Sequence, residues 1–173
     1  MLVPACALGF LVLAALPAGA APSQISANAQ PVYFAASLFL QKGTRRDRRC
    51  LPYRVTTATY VGTTITPEPR LQGQASYRAR IAINNGGTHG VATGTFTIRD
   101  GRDIVRMRST VRGVISFQQV FNGVFLGTLF RPNALMTGNA TMDFNDNLTF
   151  AAVRFGMESG ANSAVSYPRV PRC

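Results

Sequence analysis

The chain has 173 residues, a formal net charge of +11 and a sequence pI ≈ 11.0. That length fits one domain and excludes a multidomain enzyme or a long repeat array. At 46% hydrophobic and 14% charged residues, the composition also excludes a disordered chain.

Residues 1–21 read as a signal peptide. Leu2 to Leu16 are almost all apolar, and Pro17-Ala18-Gly19-Ala20-Ala21 supplies the small residues of a cleavage site. The run is shorter than the ~20 apolar residues a bilayer-spanning helix needs. The first charged side chain is Lys42, so no Lys or Arg precedes the apolar run. Residues 22–173 then form one exported domain, secreted or periplasmic, with no transmembrane span. Two cysteines remain in it, Cys50 and Cys173. An even pair in an exported chain implies a disulfide. Closing nearly the whole domain into one loop would stabilise it by up to ~5 kcal/mol in the chain-entropy model.

Period-two alternation dominates the domain, and helical periodicity is nearly absent. Val32–Gln41 and Leu51–Ile65 read as strands joined by a basic loop, Lys42–Arg49. From Leu71 to Asn84 the odd positions (Leu71, Ala75, Tyr77, Ala79, Ile81, Ile83) are apolar and the even ones mostly polar. Asn85-Gly86 is a strong hairpin signal. The next strand places Ala92, Gly94, Phe96 and Ile98 on one face and Thr93, Thr95 and Thr97 on the other. Asp100-Gly101 turns the chain again. The following strand buries Val105, Met107, Val111 and Ile115 and exposes Arg106, Arg108 and Arg112.

Two-residue loops at both turns put Tyr77 opposite Gly94 and Gly94 opposite Met107. The apolar faces then coincide on all three strands. Asn122-Gly123 reads as a third turn, and Met136–Phe144 and Leu148–Gly156 as a hairpin about Asn145–Asn147. A short strand at Ala164–Tyr167 precedes a proline-containing tail pinned by Cys173. About eight strands joined by tight turns make an all-β domain, an antiparallel up-and-down barrel, because closure removes exposed sheet edges. A β-sandwich is the alternative.

Thr93-Gly94-Thr95-Phe96-Thr97-Ile98 and Thr137-Gly138-Asn139-Ala140-Thr141-Met142 share a T-G-x-x-T-apolar pattern. Across 71–156 this resembles the Thr/Gly-rich strands of small secreted barrels, the allene oxide cyclase-like barrels and calycins. The resemblance implies a barrel fold and carries over no catalytic position.

The expected registers place Arg78 beside Thr93 and Thr93 beside Arg108, with Ser76, Thr95 and Arg106 in the next row. Arg80 and Arg112 extend the patch. Guanidinium groups interleaved with hydroxyls suit phosphate, sulfate or carboxylate groups, although the same face also reads as a solvated surface. It lacks the aromatics that nucleic-acid readers use for stacking, which argues against nucleic acid. Arg45, Arg46, Arg48 and Arg49 beside Cys50 form a second basic site.

Catalytic signals are poor. His89 is the single histidine, no G-x-S-x-G occurs, and no metal or cofactor motif is present. Asp100 with Asp103, or Glu68 with Glu158, are the carboxylate pairs that folding would have to bring together. Asn139-Ala140-Thr141 and Asn147-Leu148-Thr149 are glycosylation sequons. The reading is a non-catalytic binding protein, for an anionic polymer on the Arg/Thr face or a small apolar ligand in the barrel. A barrel isomerase or cyclase and a surface structural protein are the alternatives.

Overall fold

The computed structural model describes residues 33–116, 118–130, 134–156, 167 and 169–172. Nine strands follow in chain order: β1 (Tyr33–Leu40), β2 (Arg46–Cys50), β3 (Tyr53–Ile65), β4 (Gln74–Asn84), β5 (Gly90–Arg99), β6 (Val105–Ile115), β7 (Val120–Leu129), β8 (Ala134–Phe144) and β9 (Phe150–Gly156). From β3 to β9 each strand pairs antiparallel with the next. β9 pairs with β1, and β1 with β3. These eight strands form a closed up-and-down barrel, and β2 is an extra strand beside it. Closure settles barrel against sandwich.

The 13-residue β3 is long enough to serve two partners along one edge. Tyr60–Ile65 pair with β1, and Tyr53–Thr57 pair with β2. The hairpin β2–β3 therefore runs on past β1 at one barrel end. The basic segment expected as a loop is thus partly strand, because Arg46–Cys50 satisfies the edge that β3 would otherwise leave open.

The alternation resolves as expected. Inward residues of β4, β5 and β6 include Tyr77, Ile81, Phe96, Ile98, Met107 and Val111, all fully buried. The barrel axis is filled by aromatic rings. Phe155 stacks on Phe34 at 4.5 Å and meets Phe125 edge-on at 5.0 Å and Phe96 at 4.7 Å. Each ring buried this way contributes ~1.5–3 kcal/mol, and the pairing geometry adds to it. On β4–β6 an apolar interior lies behind an Arg/Thr outer face, while Phe39, Val61, Ile65, Leu126 and Leu135 are exposed elsewhere on the barrel. No helix among the described residues is long and apolar enough to cross a membrane.

Face parity was predicted correctly, but the registers were not. Tyr77 pairs with Phe96, not Gly94, and Gly94 pairs with Val111, not Met107. Both turns are longer than two residues. The first closes through Asn84 N–H to His89 O, the second through Asp100 N–H to Ile104 O. Up to the Ile98–Met107 pair the registers slip by even numbers, so those side chains keep their faces; beyond it the β5–β6 pairing shifts by one residue. Leu71 lies not in β4 but in a short 3₁₀ turn, Pro69–Leu71.

Asn122-Gly123 is not a turn. The chain reverses at Ser116–Gln119, and Gly123 sits inside β7 opposite Gly113. A Cβ on either glycine would come within 2.6 Å of Phe121 Cζ, so the pair of glycines makes room for that buried ring. Packing overrides the local turn signal here. The short strand expected at Ala164–Tyr167 falls mostly outside the described residues.

The C-terminal tail lies on the outer face. Val170 is buried against Val55 and Ala82, with Cys50, Tyr53 and Val91 around them. Arg80 Nη2 donates to Pro171 O at 2.6 Å.

A candidate anion-binding face

Three polar cross-strand rows lie on the outer surface of β4–β6, beside an apolar row of Ala82, Val91 and Val114. One runs Arg80–Thr93–Arg112, the next Arg78–Thr95–Thr110, the third Ser76–Thr97–Arg108. β3 continues the first two with Thr57 and Thr59. Arg78, Arg108 and Arg112 are exposed, whereas Thr93 and Thr95 are half-buried between them. The row of Arg78 meets β6 at Thr110, midway between Arg108 and Arg112. The Cα of Arg78 is therefore ~12 Å from each, given ~4.8 Å between strands and ~3.4 Å per residue. Long guanidinium arms from those positions can converge on one oxyanion or on neighbouring charges of a polymer.

Two expected members are engaged elsewhere. Arg80 is half-buried beneath the tail and bonded to Pro171 O. Arg106 leaves the face because the pairing shifts between Ile98 and Arg99. It sits at the barrel end, donating to Pro69 O at 3.0 Å and lying 3.6 Å from Asp100 Oδ2. Thr93 consequently neighbours Arg80 and Arg112 rather than Arg78 and Arg108. The tail that bonds Arg80 carries two further exposed arginines, Arg169 and Arg172.

Among the described residues, the acids that form ion pairs are committed away from this surface. Glu68 pairs with Arg70 at 2.7 Å, Asp47 with Arg45 at 3.0 Å, Asp103 with Arg99 at 3.2 Å, and Asp143 with Arg154 at 3.9 Å. With Asp100 on Arg106, five carboxylates are matched to five arginines, none of them Arg78, Arg108 or Arg112. Those three form no ion pair or hydrogen bond among the described residues.

The second basic site divides in two. Arg45 bonds Asp47 and donates to Asn147 O at 2.6 Å, and Arg46 donates to Gly43 O and Arg45 O. These two hold the β1–β2 connection. Burial works against ionisation of Asp47, but bonds from Thr56 and Arg45 outweigh it and lower its pKa. Arg48 and Arg49 are exposed. Arg54, which no local sequence pattern singles out, stands directly across from Arg49. Cys173 lies outside the described residues, as does Glu158. Asp100 and Asp103 share a turn but each faces its own arginine. His89 is an exposed turn residue, its Nδ1 3.0 Å from Thr88 Oγ1 and 3.2 Å from Asn84 Nδ2.

No family model, curated protein or solved structure matches this chain. The barrel architecture agrees with the fold that the Thr/Gly strands implied, and the functional reading rests on the site.

Proposed function

We propose that the protein is a non-catalytic binding module that engages an anionic polymer through the outer face of β4–β6. One observation carries this reading. Arg78, Arg108 and Arg112 share a surface with a band of threonine hydroxyls, and among the described residues every carboxylate that pairs with an arginine does so elsewhere. Unmatched guanidinium groups repel one another, and a polyanion relieves that repulsion while releasing counterions. The aromatic filling of the barrel favours this over an apolar ligand in the interior.

Action outside the cytoplasm belongs to the same reading, supported by the apolar leader and its small-residue cleavage site. So does a Cys50–Cys173 bridge. Val170, three residues before Cys173, packs beside Cys50. Protein from its own host is expected to begin at Ala21 or Pro22 and to weigh two hydrogens less than the dithiol form.

Retention on immobilised heparin as salt is raised tests the polymer reading. Arg78→Glu and Arg108→Glu should each elute at lower salt than wild type. Arg102→Glu carries the same charge change on an exposed turn residue off the face and should shift elution less. Absence of retention at low ionic strength, or equal shifts for all three variants, overturns the proposal.

A further inference from the structure

At the barrel end where β2–β3 projects, two hairpins form the walls of a cleft of about 400 Å³. Arg49, Leu51, Arg54, Ile83, Asn84, Asn85 and Gly87 line it. A backbone bond ties the walls together: Asn85 N–H donates to Pro52 O at 3.0 Å. That bond fixes the two walls relative to one another.

Its charge is unusual for a sheet. Arg49 and Arg54 are direct cross-strand partners, so both side chains leave the same face of the hairpin. Arg54 in turn pairs with Ile83, an inward core residue. That row sets two guanidinium groups against the apolar rim of the barrel. Like charges directly opposite one another destabilise a sheet. Asp47 attracts Arg54 through space, but its oxygens already accept from Arg45 and Thr56. Neither Arg49 nor Arg54 forms an ion pair or hydrogen bond among the described residues. Beside them Leu51 is 85% exposed. The opposite barrel end gives a contrast. Its hollow of about 240 Å³ is lined by Arg70 and Arg106, which are already paired with Glu68 and Asp100.

We infer that this cleft is a second, separate site, taking a small organic phosphate. Two facing guanidinium groups match the charge of a phosphate dianion and can bind it bidentately. Leu51 and Ile83 offer a short apolar substituent a surface beside the head. The outer Arg/Thr face lies on the other side of the sheet, so the two sites are independent.

Calorimetry with hexyl phosphate, inorganic phosphate and hexanol tests the inference. Hexyl phosphate should bind saturably and at least fivefold tighter than inorganic phosphate, with hexanol silent. Arg54→Gln and Arg49→Gln should each weaken it at least tenfold. Without ligand Arg49→Gln should melt no lower than wild type, because a repulsive pair is relieved. Leu51→Ser should narrow the gap between hexyl and inorganic phosphate. Arg78→Glu should leave hexyl phosphate binding unchanged, and Arg54→Gln should leave most heparin retention in place. Binding that survives in the Arg49→Gln/Arg54→Gln double variant, or no saturation up to millimolar hexyl phosphate, overturns the inference. Loss of heparin retention alone leaves it standing and removes only the polymer reading.

Discussion

The ring of Tyr77 occupies the space that a side chain on Gly94 would need. A Cβ at position 94 would lie 2.5 Å from Tyr77 Cε2 and 2.2 Å from the backbone oxygen of Arg78. The ring thus crosses diagonally from its own partner, Phe96, to cover a strand glycine. Gly94→Ala must displace backbone as well as ring, and is expected to cost about 2–3 kcal/mol in chemical denaturation. Tyr77→Phe should behave in the opposite way. The Tyr77 hydroxyl is buried without a hydrogen-bond partner, and deleting it should leave stability unchanged or raise it by about 1 kcal/mol. A loss above 1 kcal/mol in Tyr77→Phe would show that the hydroxyl is bonded in solution.

The same pair shows what the sequence could and could not reveal. Alternation told which way Tyr77, Gly94 and Met107 point, because burial of one face permits no odd slip. Loop length was not readable from Asn85-Gly86 alone, since the organiser is the residue before it. Asn84 Oδ1 accepts from Thr88 N at 2.8 Å and His89 N at 3.3 Å, while its Nδ2 donates to Thr88 Oγ1 at 2.9 Å. Asn145 repeats the arrangement with Thr149 and Phe150. An N-x-x-x-T spacing between two strands was the available signal for this longer turn. Asp100 caps its own loop by accepting from Arg102 N and Ile104 N. Shifting these loops moved Arg108 and Arg112 along the face and drew Arg106 off it. The cleft between Arg49 and Arg54 depends on how far the β2–β3 hairpin overhangs the barrel, which no local pattern encodes.

Glu68 makes the acid limb of stability testable. Its carboxylate accepts from Arg70 Nε and Nη2 at 2.7 and 2.8 Å, and from Arg70 N at 3.1 Å, capping the 3₁₀ turn. Chiefly the Arg70 side chain, against some opposing burial, holds its pKa down at about 2. A folded pKa below the unfolded one means the stabilisation is present above pH ~4.5 and fades as pH falls toward 2. Melting curves of wild type and Glu68→Gln should therefore differ at pH 7 and converge near pH 2. A constant gap across that range would show that the carboxylate charge contributes nothing.

Tyr60 sets the alkaline limb. Its hydroxyl donates to Leu148 O at 2.9 Å from a fully buried position. Burial pushes its pKa up to about 12, with Arg45 opposing slightly. A raised folded pKa gives stability that is complete below pH ~10 and lost as pH rises toward 12. Tyr60→Phe leaves the Leu148 carbonyl without this donor and should cost about 1–2 kcal/mol at pH 7. The variant should also lose less stability than wild type between pH 10 and 12, read from denaturant midpoints at each pH. Parallel pH profiles would refute the assignment.

The tail is the last element whose role can be measured separately from the barrel. Among the described residues it adds no strand pairing, and beside the proposed Cys50–Cys173 bridge two contacts hold it: Val170 over Val55 and Ala82, and Arg80 Nη2 on Pro171 O. Val170→Asp puts a charge among apolar side chains and should cost about 2 kcal/mol. Because β1 and β3–β9 close without the tail, the loss should be local. Trypsin should cut after Arg169 many times faster in this variant, while the β-sheet circular dichroism stays unchanged. Arg80→Met removes only the second contact and should accelerate the same cut less. If Val170→Asp unfolds the whole domain in one step with no early cleavage, the tail is part of the barrel's cooperative unit rather than a strap laid over it.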